Sequence, residues 1–306
     1  MTSAAVPTTR TKPVIVARKR PLRAGRVALY IFLTATAIVW LMPVLWALYT
    51  SFRPHSDTDV HGYLSLPHAF GLQNYRAAWS GGQIPLHFWD SMIVTIPAIV
   101  LILLLASSVG FVVSRLSYWF NVPLLIFFMA ANLLPQQVLL TPLFRLYLQI
   151  DWLPGWLTNG TNSPYDSFLG LIIINVAFQT GFCTFVLSNY MKTIPRSLDE
   201  AARVDGASVV RQFFGIILPL CKPALAALAV LEFTFIYNDF LWAIVLMVTG
   251  DRRPITSSLN NLTGTYFTDN NLIAAASMLV CIPTLIVFAL LQRQFIRGLT
   301  LGAEKG

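Results

Sequence analysis

Two carboxylates stand inside one of the most apolar stretches of the sequence. Glu232 and Asp239 lie in the run LEFTFIYNDFLWAIVLM, seven residues apart, which is two turns along one face of a helix. Inside a membrane a carboxylate costs at least about 2.5 kcal/mol, so it usually faces the interior of a helix bundle or a water-filled path. Two interpretations stay open: the pair relays protons or cations, or each carboxylate has a structural partner.

Amide side chains recur at helical spacing in two other apolar stretches. Asn132 and Gln136 are four residues apart, as are Asn175 and Gln179, so each pair lies on one helix face, and Gln137 adjoins the first pair. An amide that faces lipid loses its hydrogen bonds, so these faces are expected to turn toward other helices or a polar cavity. Hydrogen bonding between helices and a cavity for a hydroxyl-rich solute both remain open.

The cysteines and histidines lack the spacing of a metal site. The chain contains Cys183, Cys221, Cys281, His55, His61, His68 and His87. The cysteines fall in or beside different apolar stretches with no CxxC pattern, which favours small buried side chains. The histidines share one polar stretch, but separations of six, seven and nineteen residues offer no common helical face. We expect neither a metal site nor a disulfide framework.

The elements that carry these groups are predicted to be membrane-spanning helices. The mean hydropathy is +0.66, and 56% of the residues are hydrophobic against 11% charged, which is too apolar for a soluble globule. Six windows reach the roughly 20 residues that cross a hydrocarbon core. They are 27–49, 91–114, 122–144, 167–191, 223–249 and 272–292. The sequence therefore predicts an all-α integral membrane protein with six transmembrane helices in 27–292.

The basic residues are distributed unevenly between the two sides of these spans. If the N-terminus is cytoplasmic, 16 of the 21 Lys and Arg lie on the cytoplasmic side. The opposite, extracytoplasmic side keeps Arg53, Arg76, Arg145, Arg252 and Arg253, and its first loop is predicted to be 50–90, between the first two spans. This positive-inside bias places both termini in the cytoplasm, and it explains the net charge of +8 without nucleic acid. Residues 1–26 are then a basic cytoplasmic tail that can lie on anionic lipid, and 293–306 are a short C-terminal tail too glycine-rich for a long helix.

A polar segment at 192–222 separates two of the spans. Ser197 and Glu200 form an S-x-x-E pattern, which predicts a capping box and a helix from Leu198. Gly206 can supply the left-handed residue that ends this helix, and Ser208 can cap a second one. The predicted product is a helix pair on the cytoplasmic face. It can dock on a partner, as in helix-in-groove recognition, or float at the lipid headgroups.

Within this segment, EAARVDGAS at 200–208 followed by FFGIILPLCKPAL resembles the EAA loop of ABC-importer permeases. Three further stretches are similar to the maltose type of these permeases: FGLQNY at 70–75, YNDF at 237–240 and the ending QRQFIRGLTLGAEKG. The chain is therefore identified as resembling the carbohydrate (MalG-like) permeases of binding-protein-dependent transport. Tyr237 stands where that type usually has tryptophan, and Asp90 where asparagine is frequent.

The resemblance implies a type I ABC-importer permease fold and a set of functional residues. In that family the EAA loop is the coupling helix that docks on the ATPase. Here it would comprise Glu200, Ala201, Ala202, Arg203, Asp205, Gly206, Ala207, Ser208, Phe213, Phe214 and Pro219. The solute path is predicted from the amides and the YNDF motif: Asn132, Gln136, Gln137, Asn175, Gln179, Tyr237, Asn238 and Asp239. The tail would contact the ATPases through Gln292, Arg293, Gly298, Gly302 and Lys305.

The same resemblance implies the partners and the source of energy. They are a second, MalF-like permease, a dimer of ATPase subunits, an extracytoplasmic solute-binding protein, membrane lipid and a carbohydrate. The chain has no G-x-x-x-x-G-K-[ST] pattern, so ATP and Mg would be bound by the partner ATPase, and we expect no catalytic site here. The implied function is carbohydrate import across a bacterial inner membrane, a di- or oligosaccharide being favoured.

Three alternatives are considered. An ion-coupled secondary transporter would use Glu232 and Asp239 as its relay, and it would leave the 192–222 segment without a role. An ABC permease for a glycerol phosphate or a polyol would keep the same architecture, although a phosphate favours basic residues at membrane depth and the predicted spans contain none. A membrane scaffold would not account for the amide-bearing faces.

Overall fold

Helices make up nearly all of the regular structure. The computed structural model describes residues 24–263 and 268–300, and within these ranges it contains no strand, only an isolated bridge between Thr263 and Thr268. The helices are α1 (Ala24–Ser51), α2 (His55–His61), α3 (Gln73–Gly81), α4 (Ile84–Arg115), α5 (Asn121–Leu133), α6 (Gln136–Gln149), α7 (Phe168–Thr193), α8 (Ser197–Val204), α9 (Val209–Leu220), α10 (Lys222–Tyr237), α11 (Leu241–Leu246), α12 (Ile255–Ser258) and α13 (Asn270–Thr300). The predicted all-α class is confirmed.

Four of the described helices can cross a membrane by length and composition. They are Gly25–Ser51 within α1, then α4, α7, and Asn270–Gln292 within α13. Two further pairs meet the same test only together: α5 with α6, bent by 97°, and α9 with α10, bent by 73°. Counting each bent pair as one span raises the number from four to six. The count of six then agrees with the prediction, although the second pair begins at Val209, inside the predicted 192–222 segment, rather than at 223.

The third predicted span, 122–144, is not one continuous helix. α5 ends at Leu133, Leu134 is extended with ψ 128°, and α6 starts at Gln136. Pro135 explains this break, because its ring excludes helical geometry for the preceding residue and it has no N–H to continue the ladder. Composition alone could not separate the two halves, since both are apolar.

The fifth predicted span, 223–249, also stops early. α10 ends at Tyr237, and the short α11 begins only at Leu241. The Asp239 carboxylate accepts a hydrogen bond from the backbone N–H of Trp242 at 3.1 Å, while the Asn238 amide donates to the Thr234 carbonyl at 2.8 Å. Asn and Asp side chains compete in this way with the helix ladder, so the motif that carries polar groups also interrupts the helix.

The prediction for the C-terminal tail was wrong where the structure describes it. α13 continues as a helix to Thr300, past the predicted end at 292 and through Gly298. One glycine costs a helix roughly 1 kcal/mol, which is too little to end a long helix whose other residues favour it. Gln292 is exposed and donates to the Ala289 carbonyl. Gly302 and Lys305 lie outside the described residues.

Helices α4 and α7 form the centre of the apolar core, which the structure builds from residues after Ala47. Gly110 lies where these helices approach closely, because a Cβ there would stand 3.3 Å from the Ser188 nitrogen and 3.5 Å from the Leu187 Cβ. Ile102, Leu171 and Leu187 are fully buried in this core. The N-terminal part of α1, up to Trp46, is a separate unit whose apolar side chains are largely exposed.

The segment between α1 and α4, residues 52–83, contains α2 and α3 and is tied to the start of α13. Asn271 is fully buried, and its amide donates to the carbonyls of Thr50 and Arg53. Arg53 is itself fully buried and pairs with Asp57 at 2.8 Å. Burial favours a higher pKa for Asp57, but the hydrogen bond and charge of Arg53 and the His68 backbone N–H outweigh it, so its pKa lies below the usual value.

Helix α4 begins earlier than the predicted span. It starts at Ile84 rather than at 91, and the preceding Gln83 takes a left-handed conformation with φ 48°. Pro85 stands in its first turn, where a missing N–H costs no hydrogen bond. The predicted 50–90 loop is accordingly shorter, and α4 extends 32 residues to Arg115.

Candidate functional site

The EAA loop, residues 192–222, forms the predicted pair of helices joined by a glycine turn. α8 ends at Val204, Asp205 follows as its cap, and Gly206 has φ +73°. The N–H of Gly206 reaches the Arg203 carbonyl at 3.0 Å, and that of Ala207 reaches the Ala202 carbonyl at 2.9 Å. These bonds satisfy the last carbonyls of α8, as expected for a left-handed helix end.

The two predicted helix starts in this loop differ in outcome. Ser208 caps α9, because its hydroxyl accepts from the Arg211 N–H at 3.3 Å. The predicted capping box at Ser197 does not form: α8 already includes Ser197, and its N-terminus has no side-chain cap. The helix begins one residue earlier than predicted, so the Arg196 carbonyl already accepts from the Glu200 N–H at 3.1 Å, the donor that Ser197 would have capped.

The surface of the EAA loop presents apolar and charged side chains together. Val204, Val210 and Phe214 are 89%, 65% and 54% exposed. Most of the predicted coupling residues are also exposed: Glu200, Ala201, Arg203, Asp205, Gly206, Ser208, Phe214 and Pro219. Ala207 is half-buried, and Ala202 and Phe213 are buried. The loop therefore has an exposed amphipathic face, whereas Ala202 and Phe213 are buried against the rest of the protein.

Arg115 joins the EAA loop to the helix bundle. Its side chain is only 3% exposed, and its guanidinium donates to the Asp199 carboxylate at 2.9 Å. The same group donates to the backbone carbonyls of Met191 at 2.6 Å and Ile194 at 3.1 Å. One side chain thus connects the C-terminal ends of α4 and α7 with the first turn of α8. We call this set of contacts the arginine clamp.

A second attachment lies on α9. This helix contains a π-helical turn, Phe213–Ile217, in which Ile217 is fully buried. The Phe213 ring stands 5.2 Å from the Phe111 ring of α4, centroid to centroid. π-turns inside α-helices are frequent at functional sites. The EAA loop is therefore fixed to α4 through both of its helices.

The sequence offered little sign of the arginine clamp. Arg115 counted only as one more cytoplasmic charge, and Asp199 only as a residue inside the capping-box pattern. The two residues are 84 positions apart, so no local pattern connects them. The only signal is a single arginine at the end of an apolar run, and the 192–222 segment offers three acidic residues, Asp199, Glu200 and Asp205, with nothing to say which of them it would pair with.

The predicted path residues divide into those that contact other helices and those that are exposed. The Gln136 carbonyl oxygen accepts from the Trp242 indole N–H at 3.1 Å, and the buried Asn175 donates to the Asp239 carboxylate at 3.4 Å. Asn132, Gln137 and Asn238 are exposed, and Gln179 is half-buried. Asn238, although exposed, also donates to the Thr284 hydroxyl of α13 at 3.5 Å, so three of the amides form hydrogen bonds between helices. Asn132 and Gln136 do not share one helix face as predicted, because the break at Pro135 places them in different helices.

Tyr237 is buried in the helix packing and does not line an open path. It is 1% exposed, its hydroxyl donates to the Val280 carbonyl at 3.1 Å, and its ring stacks on Phe233 with centroids 5.3 Å apart. A tyrosine buried in this way holds α10 against α13. The other residues of the YNDF motif are more accessible than Tyr237: Asn238 and Phe240 are exposed, and Asp239 is half-buried.

The two helix breaks meet at Trp242, a residue that the sequence analysis did not select. Its indole bonds Gln136 beside the break between α5 and α6, and its backbone N–H bonds Asp239 beside the break after α10. Phe178 of α7 stacks on the Trp242 ring with centroids 5.5 Å apart and planes at 28°. Irregular backbone at membrane depth is tolerated where it is buried in protein or lines a cavity.

A cleft of about 240 Å³ lies beside this junction, between α5, α6 and α7. Its walls are mostly apolar, with Asn132 and Thr180 as polar members and Phe178 as an aromatic one. Gly181 makes room at the base, because a Cβ there would lie 3.0 Å from the Asn132 amide nitrogen and 3.1 Å from the Phe128 Cβ. The cleft combines apolar contact with a few polar groups, which is typical of ligand sites.

The two carboxylates of the apolar run have separate partners. Glu232 is fully buried and its carboxylate accepts from the Cys183 thiol at 3.1 Å. Its other oxygen has no hydrogen-bond partner among the described residues. Asp239 instead caps α11 and contacts Asn175. The described structure therefore gives each carboxylate a packing partner of its own.

The chain is similar to known transport proteins over most of its length. The sequence pattern of the family described as "Binding-protein-dependent transport system inner membrane component" matches residues 86–300. A probable ABC transporter permease of Pyrococcus horikoshii is 32% identical over 265 residues, covering 86% of this chain and 91% of the relative. The alpha-glucoside transport system permease AglG of Rhizobium meliloti is 33% identical over 245 residues, covering 78% of this chain and 62% of the relative.

A solved structure has a similar fold. It is described as a bacterial ABC transporter involved in the import of the acidic polysaccharide alginate, and it matches with a TM-score of 0.73 over 93% of this chain and all of the compared chain. At 19% sequence identity this likeness concerns the fold alone. Since the family pattern covers most of the sequence and includes the EAA loop, the chain belongs to the inner membrane components of binding-protein-dependent transport systems, the permease subunits of ABC importers.

Proposed function

We propose that this chain is the permease subunit of an ATP-driven sugar importer, and that its EAA loop receives the motion of a partner ATPase. The arginine clamp is the observation that carries the proposal. A push on α8 acts on Asp199, and Arg115 passes it to the ends of α4 and α7 in one step. Buried, charge-assisted hydrogen bonds suit this role, because they hold a fixed geometry better than exposed ion pairs do.

The proposal includes an orientation and a set of partners. The EAA loop and both termini lie in the cytoplasm, in agreement with the bias of Lys and Arg toward that side. The exposed apolar residues Val204, Val210 and Phe214 would seat the loop in a groove of the ATPase, which binds ATP and Mg. A second, MalF-like permease would complete the bundle, and an external binding protein would deliver the solute.

The cleft supports a neutral, hydroxyl-rich solute. Asn132 and Thr180 offer hydrogen bonds, and the ring of Phe178 offers a flat apolar surface of the kind that a sugar face can cover. No basic residue lines the cleft, which disfavours a phosphorylated solute. The relative AglG bears the name of an alpha-glucoside transport system, and this agrees with a di- or oligosaccharide.

Reconstitution of the transporter tests the role of the EAA loop. Gly206→Pro cannot keep φ +73°, since proline is locked near −65°, and Glu200→Lys reverses a charge on the exposed face of α8. Both variants should lose at least about 90% of sugar uptake in proteoliposomes that contain ATPase and binding protein, while the subunits still assemble. Gly215→Ala is the control, because it is also exposed in this loop and a Cβ there meets no atom within 4 Å. Normal uptake in both variants would refute the docking assignment.

An ion-coupled secondary transporter is the second candidate. It would need the two carboxylates of the apolar run to share a path, whereas Glu232 is closed off against Cys183 and Asp239 caps another helix. Uptake driven by a proton or sodium gradient in liposomes without ATP distinguishes the two mechanisms. The importer proposal requires that such uptake is absent.

A further inference from the structure

We propose that Asp57, His61 and His68 form a binding site for a divalent transition-metal ion of the zinc class. The three side chains come from α2 and from the turn that follows it, and their ligand atoms all lie within 4.8 Å of one another. The site stands in the 52–83 segment, before the start of α4, whereas the EAA loop attaches at the other end of that helix. It is therefore separate from the coupling site and from the cleft.

The distances between the ligand atoms fit a single ion. One Asp57 oxygen, Oδ1, lies 3.3 Å from the His61 Nδ1 and 3.6 Å from the His68 Nδ1. Ligand atoms about 2.0–2.2 Å from a tetrahedral zinc ion stand roughly 3.4 Å apart, which matches both values. Two imidazoles and one carboxylate also form a known catalytic or binding set that leaves a position open for water.

The histidine rings need only a small rearrangement to share the ion. The two rings are stacked, with centroids 3.9 Å apart and planes at 20°. A metal ion lies in the plane of the imidazole that binds it, so each ring must turn until its nitrogen points at the ion. The side chains of His61 and His68 are 39% and 61% exposed, which leaves both rings room to turn. The last side-chain torsion of histidine has a broad energy minimum, so turning the rings costs little free energy.

Arg53 holds the Asp57 carboxylate in a fixed orientation. It donates to the other Asp57 oxygen, Oδ2, at 2.8 Å, which leaves Oδ1 directed at the histidines. The same guanidinium donates to the carbonyls of Gly62 and Tyr63 and to the Ser65 hydroxyl at 2.9 Å, so it also holds the turn between the two histidines. Partners that orient the ligating groups raise metal affinity, and a buried arginine can serve as one here.

The donor set selects the class of metal. Imidazole nitrogen suits zinc, copper, nickel and cobalt, whereas calcium and magnesium prefer oxygen ligands. The spacing of the histidines had predicted no metal site in this segment. Asp57 stands four residues before His61, on the same face of α2, and supplies the carboxylate that the spacing of histidines did not reveal.

The experiment measures zinc binding to the full chain, purified in detergent with an affinity tag that contains no histidine. ZnCl₂ is titrated against a chelator of known affinity, and CoCl₂ is followed by its visible absorption. We expect one ion per chain. The double variant His61→Ala/His68→Ala should bind at least about 100-fold more weakly, because even the loss of an outer partner costs about 10–100-fold. His55→Ala is the control, since His55 lies on the same helix but outside the three-residue group.

Three outcomes contradict the proposal. They are the absence of stoichiometric zinc binding, equal affinity in the double variant, and an equal loss in the His55 control. Size-exclusion profiles of the variants establish that they fold, and the exposure of both rings makes misfolding an unlikely source of lost binding. A second measurement uses diethyl pyrocarbonate, which modifies exposed imidazoles: zinc should protect His61 and His68 together, and equal modification with and without zinc would overturn the site.

Discussion

Replacing Arg115 by alanine tests whether the arginine clamp holds the EAA loop. The change removes a side chain that is 3% exposed together with its bonds to Asp199, Met191 and Ile194. It also leaves the Asp199 side chain, 9% exposed, without its counter-charge. Removing one member of a buried ion pair costs about 3–5 kcal/mol, because the other charge stays buried and unpaired. The free energy that holds α8 against the ends of α4 and α7 should therefore fall by about 3–5 kcal/mol.

Hydrogen exchange of the EAA loop measures this loss directly. About 3 kcal/mol corresponds to a factor of roughly 100 in the opening equilibrium, since each 1.4 kcal/mol is tenfold. The amides of α8 and of the first turn of α9 should therefore lose about 100-fold of their protection, while those of α4 and α7 near Gly110 should change little. Mass spectrometry of the permease in lipid nanodiscs provides the readout.

Two companion variants make this test specific. Asp199→Asn keeps the shape of the side chain and removes its charge, so it should cost less, about 1.5–3 kcal/mol for a hydrogen bond to a charged group. Arg196→Ala removes an exposed arginine one residue before α8 and should leave protection unchanged. The reasoning is refuted if Arg115→Ala exchanges like the wild type, or if Arg196→Ala causes the same loss.

Three further predictions concern single contacts. Ser208→Ala removes the cap of α9 and should destabilise that helix by about 1 kcal/mol, seen as faster exchange at Arg211. Gly181→Ala places a Cβ 3.0 Å from Asn132, so overpacking should cost about 1–3 kcal/mol and lower the midpoint of thermal unfolding, whereas Gly215→Ala should not. Trp242→Phe keeps the stacking but leaves Gln136 without its donor; we expect a loss of about 1–3 kcal/mol in the same melting assay, and an unchanged midpoint would contradict the contact.

Local features of the EAA loop could be predicted because they depend on a few consecutive residues. A glycine between two helical patterns predicts a left-handed end, and Gly206 has φ +73°. A serine before a helix predicts a cap, and Ser208 provides one. The capping box at Ser197 does not form because the helix begins one residue earlier, and boundaries of one or two residues lie beyond the precision of such rules.

Broken helices and long-range contacts were harder to predict. Pro135 lies inside an apolar window whose average composition hides the break, and a 97° bend depends on the packing of both halves. The bond between Trp242 and Gln136 joins residues 106 positions apart, and the arginine clamp joins residues 84 apart. Such pairs arise only when the helices are assembled, so the spacing rules that found the amides could not assign them partners.

Helix α4 connects two surfaces of the protein, the EAA loop and the 52–83 segment. Its 32 residues give a rod of about 48 Å, longer than the roughly 30 Å of a hydrocarbon core. The arginine clamp lies at its C-terminal end, and the 52–83 segment directly precedes its N-terminal end. A rod of this length acts as a lever: a rotation of about 10° about one end displaces the other by roughly 8 Å. On the proposed function, a small movement of the EAA loop would in this way become larger at the far end of α4.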